Sequence, residues 1–514
     1  MKSRSWLIRL LLGAAAYLLL LLGLTAAESG DLNASIQGFS DALWYSVVTL
    51  STVGYGDLYP VTPLGKCIGL LFVLLSVGAL AVLVGSVVSL LTGKMLPRLQ
   101  LRALRSRKWY VFSQWNDGSA ALARSLAAQD ADAVLLFPAD DREKVSADLN
   151  CRFYPEGMAA AVAGKKDGCC LFCMDEASGV NYPQALQALE LGFDVYCRTE
   201  QTLDHCPEKL HLFNRYECCA REYWKTQGLH SRESTLVLIG DGRYARQLLE
   251  QGLAVNVFGS DRAVQYHVFG DWADFRRSHP QLGLTLSLDA QTPGVDSLYF
   301  HTDAWNADAQ LLYRADRIIL CSDDDRENAA VLRDLRRYFP ASGAVHLRSA
   351  ADIPGEDTFG THLRIYTAEN ILAGHLTAAA RAMHGIYCSS AGGPAWAQLS
   401  EFTRQSNIAA ADHLLVKIRL LLEDEAIREL TRENCAAAYD TYCRTYPDKA
   451  EQYRALEHLR WMRFHSLYNW RHGPVRDNRA RIHPMMVSYE DLPEQERAKD
   501  EYAWQLLGSL ARVL

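Results

Sequence analysis

The stretch Thr52-Val53-Gly54-Tyr55-Gly56-Asp57 decides how the rest of the chain is read. Glycine tolerates positive φ, so glycines at 54 and 56 let consecutive carbonyls turn to the same side of the backbone, which an ordinary strand forbids. Taken alone, Gly-Tyr-Gly-Asp reads equally well as a turn after a short amphipathic helix. The flanks settle the matter. Residues 6–26 are apolar apart from Arg9 and Tyr17, and residues 64–91 form a second apolar run, entered through Pro60 and Pro63. Each is long enough for a bilayer core, which needs about 20 helical residues.

A cleaved leader is the rival reading of the first run, since Lys2 and Arg4 precede it and Thr25-Ala26-Ala27 ends it. The second run argues against that. Lys2, Arg4 and Arg9 lie before the first run, and Lys94, Arg98, Arg102, Arg105 and Arg107 follow the second. Positive charge on both flanks predicts a multi-pass protein of the cell membrane with both termini cytoplasmic. The loop between, with Glu28, Asp31, Asp41 and Asp57, is then outward and acidic, and collects cations. Ser40 fits the N-cap of a helix over 41–50. No arginine-rich span is present, so direct voltage sensing is not expected.

With 40–51 before it, the stretch 52–57 closely resembles the pore helix and selectivity filter of potassium channels. The resemblance implies a homotetramer in membrane lipid. Backbone oxygens from four copies of Thr52, Val53, Gly54 and Tyr55 would replace the hydration shell of K+, with Gly56 and Asp57 completing the motif. It also implies that Trp44 hydrogen-bonds Asp57, and that Tyr55 wedges against Trp44 and Tyr45. Gly78 and Gly85 in the second span are candidate gate hinges, with close helix packing as the alternative.

At 514 residues the chain has room for about three or four domains. A net charge of −7 with 49% hydrophobic residues fits a mostly soluble protein with a small membrane part, and no basic domain points to nucleic acid. The expected boundaries are a pore domain over 1–93, a basic linker over 94–107, α/β lobes over 108–230 and 231–390, and a helical domain over 395–514.

From residue 108, short apolar runs alternate with helical stretches, the pattern of a parallel α/β sheet. Strands are expected at 109–113, 133–137, 171–174 and 195–198, then at 236–239, 255–258 and 317–321. The two sets repeat one plan, an internal duplication. Two such lobes behind a two-span pore resemble tandem RCK (TrkA-N-like) domains, regulators of potassium conductance. The first lobe has Gln114-Trp115-Asn116-Asp117-Gly118 where a dinucleotide turn needs Gly-x-Gly, and its side chains would block a pyrophosphate. The second has Gly240-Asp241-Gly242-Arg243-Tyr244-Ala245, with Asp261 about 20 residues on as the ribose-binding acid. Gly240, Gly242, Ala245 and Asp261 are therefore candidates for a nucleotide or dinucleotide, or else an inherited turn that only packs helix on sheet. No catalytic constellation accompanies them, so no enzyme is expected.

Asp323-Asp324-Asp325 reads as a helix cap rather than a divalent site. Eight of the 13 cysteines lie between Cys151 and Cys219, but with His205 and His211 they match no standard ligand spacing, and no metal is expected.

The last part contains Leu456-Glu457-His458-Leu459-Arg460-Trp461, then Trp470-Arg471-His472, His483-Pro484 and Tyr489-Glu490-Asp491-Leu492-Pro493. This order resembles the RyR-like (ryanodine-receptor repeat) domain. Trp461, His465, Trp470, Arg471 and His483 are candidates for an aromatic and cationic pocket for a small nucleotide-derived gating ligand. The alternative makes the tryptophans core. The chain as a whole is thus expected to be a ligand-gated potassium channel with α-helical pore, two Rossmann-like lobes and a helical RyR-like domain. A membrane-tethered nucleotide-binding redox or stress sensor, or an effector that depolarises the cell, is the alternative.

Overall fold

The computed structural model describes residues 2–90, 101, 103–203, 206–259, 261–340 and 342–513. Most of the basic linker, the end of the second span at Leu91 and His205 lie outside the described residues. The chain divides into two compact units, Met1–Leu104 and Arg105–Leu514.

The first unit is three helices: α1 (Lys2–Glu28), α2 (Phe39–Leu50) and α3 (Pro63–Leu90). A small core of Leu21, Leu24, Ile36, Ala42 and Phe72 joins them. Pro63 opens α3, where its missing N–H has no intrahelical partner to lose. Over Pro63–Val88 that helix is long and apolar enough to cross a membrane. Leu70, Leu74, Val77 and Leu83 stay exposed on it, as lipid-facing side chains would.

Two expectations for this unit are corrected. Ser40 is not the N-cap, because α2 begins at Phe39 with Gly38 before it. The capping comes from Asp41, whose Oδ2 accepts from the N–H groups of Gln37 (3.0 Å) and Gly38 (3.1 Å). Glu28 is not a free acid of the outer loop either, being fully buried. Its carboxylate accepts from Val61 N, Thr62 N and Thr62 Oγ1 at 2.7–3.0 Å, satisfying orphan donors where the chain turns into α3.

The second unit opens with β1 (Trp109–Phe112), α4 (Asp117–Gln129), β2 (Val134–Pro138), β3 (Cys151–Tyr154), β4 (Cys169–Cys173), α5 (Ser178–Leu189), β5 (Asp194–Arg198), β6 (Leu210–Phe213) and α6 (Arg215–Thr226). Its sheet is all parallel in the order β3-β2-β1-β4-β5-β6. The second lobe repeats the plan with β7 (Thr235–Ile239), α7 (Arg243–Val255), β8 (Gln265–Phe269), β9 (Ser287–Leu288), β10 (Ser297–His301), α8 (Ala309–Arg314), β11 (Arg317–Leu320), α9 (Asp325–Tyr338), β12 (Ala344–Arg348) and β13 (Asp357–Phe359). Its order is β13-β12-β11-β7-β8-β10-β9. Apart from the short β9, this is the first lobe's order, the doubly wound arrangement with its switch point beside the first strand.

The strand expected at 255–258 does not exist. Val255 ends α7, residues 256–259 are a loop, and the second strand of that lobe is β8, ten residues later. One core runs through both lobes, including Phe112, Phe172, Leu236, Leu248 and Tyr266. Trp224 of α6 donates its Nε1 to Leu248 O (2.8 Å). A Cβ on Gly252 would fall 2.8 Å from its ring, so glycine is what lets α6 and α7 close.

Four longer helices follow: α10 (His375–Ala391), α11 (Glu401–Leu422), α12 (Arg432–Leu467) and α13 (Tyr502–Val513). Leu414, Ile418, Cys435, Tyr442, Trp504 and Leu507 form their core.

Candidate functional site

The backbone leaving α2 folds back on the helix. Thr52 N donates to Thr49 O (3.0 Å), while Val53 N (3.1 Å) and Gly54 N (3.3 Å) both reach Val48 O. Positive φ recurs at alternate residues, Thr52 (59°), Gly54 (62°) and Gly56 (75°). The N–H groups are thereby consumed or turned aside. Among the described residues, no backbone donor reaches the carbonyl oxygens of residues 52–55. Residues 51–57 are exposed in the single chain. Four consecutive unpaired carbonyls after the carboxyl end of a helix make an electronegative surface suited to a dehydrated cation.

The supports are local. Trp44 Nε1 donates to Asp57 Oδ2 (2.9 Å), and the rings of Trp44 and Tyr55 lie parallel, 3° apart in tilt with centroids 6.2 Å apart. Tyr45 is placed differently from the sequence expectation. Its ring meets Phe72 edge-on at 6.3 Å, and a Cβ on Gly69 would fall 2.9 Å from its hydroxyl, so it anchors α2 to α3 instead of touching Tyr55. Gly78 and Gly85 lie within α3, and a Cβ at either would meet nothing within 4 Å.

At the second lobe's switch point, the glycines are required by the chain itself. A Cβ on Gly240 (φ +134°) would fall 2.6 Å from Ser322 N. One on Gly242 would fall 2.5 Å from the Asp323 carboxylate. Asp323 Oδ1 accepts from Tyr244 N (3.0 Å) at the start of α7, so a carboxylate stands where a pyrophosphate would be held. Ala245 is buried beneath it. Asp261 does not belong to this edge, since it precedes β8. The acid that follows the strand is Asp271, whose N–H donates to Asp241 Oδ2 (2.7 Å). These residues do not fit a dinucleotide laid across the turn. In the first lobe Asn116 fills the equivalent turn, accepting from Ser119 N (2.9 Å) and donating to Met174 O (2.6 Å).

Asp324 caps α9 by accepting from Arg326 N (2.8 Å), and Asp325 pairs with Arg348. Among the described residues no cluster of three or more His, Cys, Asp or Glu is placed to hold a metal. Burial pushes the thiols of Cys151 and Cys170 up to about 11, which keeps them protonated and unreactive.

In the helical domain the sequence candidates gather as packed aromatics. Ring centroids of Trp461 and His465 are 3.9 Å apart, Trp461 and His483 5.0 Å, and His465 and Trp470 5.4 Å. Phe402 sits against both His465 (5.3 Å) and Trp470 (5.2 Å). Burial brings His465 down to about 3, so the imidazole is neutral, and its Nδ1 donates to Trp461 O (2.9 Å). Arg471 stands apart, exposed on a two-residue strand paired with Ile482–His483. The role of Phe402 left no mark in the sequence, because it reaches the cluster from a different helix.

Residues 6–93 match the family model described as Ion channel. A voltage-gated potassium channel of Aeropyrum pernix is 52% identical over 60 residues, 12% of this chain and 20% of its own length. Potassium voltage-gated channel subfamily A member 6 of Mus musculus is 43% identical over 63 residues, 12% of each chain. The chain thus spans a fifth or less of these curated relatives. Among solved structures, GsuK bound to ADP aligns at 13% identity and a TM-score of 0.34, over 71% of this chain and 97% of that one. GsuK bound to NAD gives 12% and 0.33, over 72% and 84%. The relatives so matched are ion channels and not enzymes, and residues 6–93 are similar to the ion-channel region of potassium channels.

Proposed function

We propose that the protein is a potassium-selective channel in which four copies bring the carbonyl oxygens of Thr52, Val53, Gly54 and Tyr55 around one axis. The observation that carries this reading is the run of unpaired carbonyls held by alternating positive φ, with Trp44 tied to Asp57 behind it. Oxygens that accept nothing from the protein are free to exchange for the water of a K+ ion. Transport is passive, and the lobes and the RyR-like domain set the open probability. A small nucleotide-derived ligand that binds one arrangement of these domains more tightly shifts the pore by that difference, with Gly78 or Gly85 as the bending point. Purified protein in lipid vesicles is expected to pass K+ down its gradient while excluding Na+, and Gly56→Asp is expected to abolish the flux. Equal passage of both ions would reject the reading.

A further inference from the structure

Between the second lobe and the helical domain lies a cleft of about 1270 Å³. One wall is Phe258, Gly259, Asp261 and the segment over 283–296 that carries β9; the other is the face of α12 from Lys449 to Arg463, with Ser488–Glu490 beside it. Arg463 closes the inner end. Its buried guanidinium donates Nε to Thr285 Oγ1 (3.0 Å) and Nη2 to Thr285 O (3.0 Å) and Asp296 Oδ2 (2.9 Å). Lys449 lies fourteen residues earlier on the helix, about 21 Å away at 1.5 Å per residue. The cleft is therefore pinned at one end and open at the other.

Both sequence motifs that mark this domain reach the cleft. His458 and Leu459 come from the first, Tyr489 and Glu490 from the second, while Trp461 and His483 pack elsewhere. Among the described residues, the exposed side chains of Asp261 on one wall and Lys449 on the other form no hydrogen bond or ion pair. Arg497 lies over the Tyr489 ring at 5.1 Å, backing an aromatic plate with positive charge. The floor is apolar, with Leu286, Leu456, Met462 and Trp504 buried.

These groups fit one kind of molecule. A flat ring stacks on the face of Tyr489, whose ring Arg497 backs while bonded to Leu492 O (3.0 Å) and Glu490 O (2.7 Å); a carboxylate such as Asp261 suits paired ribose hydroxyls, and Lys449 suits one phosphate. The carboxylates of Asp261, Glu451 and Glu490 on the same lining oppose a longer phosphate chain. We propose that this cleft binds a nucleoside monophosphate and that closure on it draws α12 toward the second lobe. The inference rests on the ligand-gating reading above and supplies its site.

The test is the melting temperature of the purified full-length protein with adenosine 5′-monophosphate, adenosine or ATP, titrated to give affinities. The expected result is a rise with the monophosphate, weaker binding of ATP, and at least a tenfold loss of monophosphate affinity in Asp261→Asn and in Lys449→Ala. Leu459→Trp, which fills the cleft from α12, is expected to remove the response, and circular dichroism of each variant without ligand confirms its fold. No rise with the monophosphate, unchanged affinity in both charge variants, or tighter binding of ATP would overturn the proposal. Potassium flux through the same wild-type preparation is read separately. Selective flux without any melting response removes the cleft alone; a melting response without selective flux leaves the cleft and removes the channel.

Discussion

Gly54 and Gly56 hold φ of +62° and +75°, and a Cβ built on either meets nothing within 4 Å in the single chain. Space therefore does not forbid alanine there; backbone strain of about 1–2 kcal/mol per residue does. Gly54→Ala is expected to reduce discrimination of K+ over Na+ with a melting temperature near wild type, and unchanged selectivity would contradict the geometry. Trp44→Phe keeps a ring against Tyr55 but removes the donor to Asp57, a loss of about 1 kcal/mol. It is expected to shorten openings in single-channel records, and Asp57→Asn, which still offers an oxygen acceptor, to do so less. Equal behaviour of the two variants would sink this assignment. The geometry of residues 52–57 was legible because it is local: glycine positions and one tryptophan thirteen residues before an aspartate. Tyr45 was misplaced because its partner, Phe72, is on a different helix.

Glu28 shows the same contrast among elements. In the sequence it is one acid among four between two apolar runs, and only the turn into α3 makes it the acceptor for three donors. Glu28→Ala leaves those half-buried donors without their acceptor, which costs about 1–3 kcal/mol. A lower melting temperature of the detergent-solubilised protein is expected, with Glu28→Gln falling between; a variant as stable as wild type would contradict the role. The strand assigned to 255–258 failed for a related reason. Val255, Val257 and Phe258 are β-forming residues, but tertiary burial of Leu253 and Val255 extends α7 to Val255, and the apolar run that follows becomes loop. That shift carried Asp261 away from the nucleotide edge and put Asp271 there. The alternation of strands and helices was readable, since buried parallel strands are near-continuous apolar runs; β3, β6, β8, β10 and β12, which carry Arg152, His211, His267, His301 and His346, were not read.

For the molecule as a whole, the dependence of stability on pH includes one proton held between two side chains of the helical domain. His458 Nε2 donates to Val487 O (2.9 Å), so its Nδ1 lone pair faces Asp500 Oδ2 at 3.6 Å. Two acceptors face each other unless a proton sits on one. Burial, then the Glu457 carboxylate, pushes Asp500 up to about 7 from an ordinary 3.8, while burial lowers His458, so the proton belongs to Asp500. A raised acid favours the folded state most below its unfolded value, and that contribution is lost as pH climbs through about 7. Wild type is therefore expected to lose roughly 2–3 kcal/mol relative to Asp500→Asn between pH 5 and 7, from two pH units at about 1.36 kcal/mol each. Parallel pH profiles of the two proteins would contradict the assignment. Nothing in the sequence marked Asp500, because its shift comes wholly from what surrounds it in the fold.

The reversal potential of purified protein in a planar bilayer, with K+ on one side and Na+ on the other, tests the central claim most directly. A value far from zero, with the sign set by K+, is what free carbonyls at residues 52–55 require. A value near zero would mean that those oxygens do not select the ion.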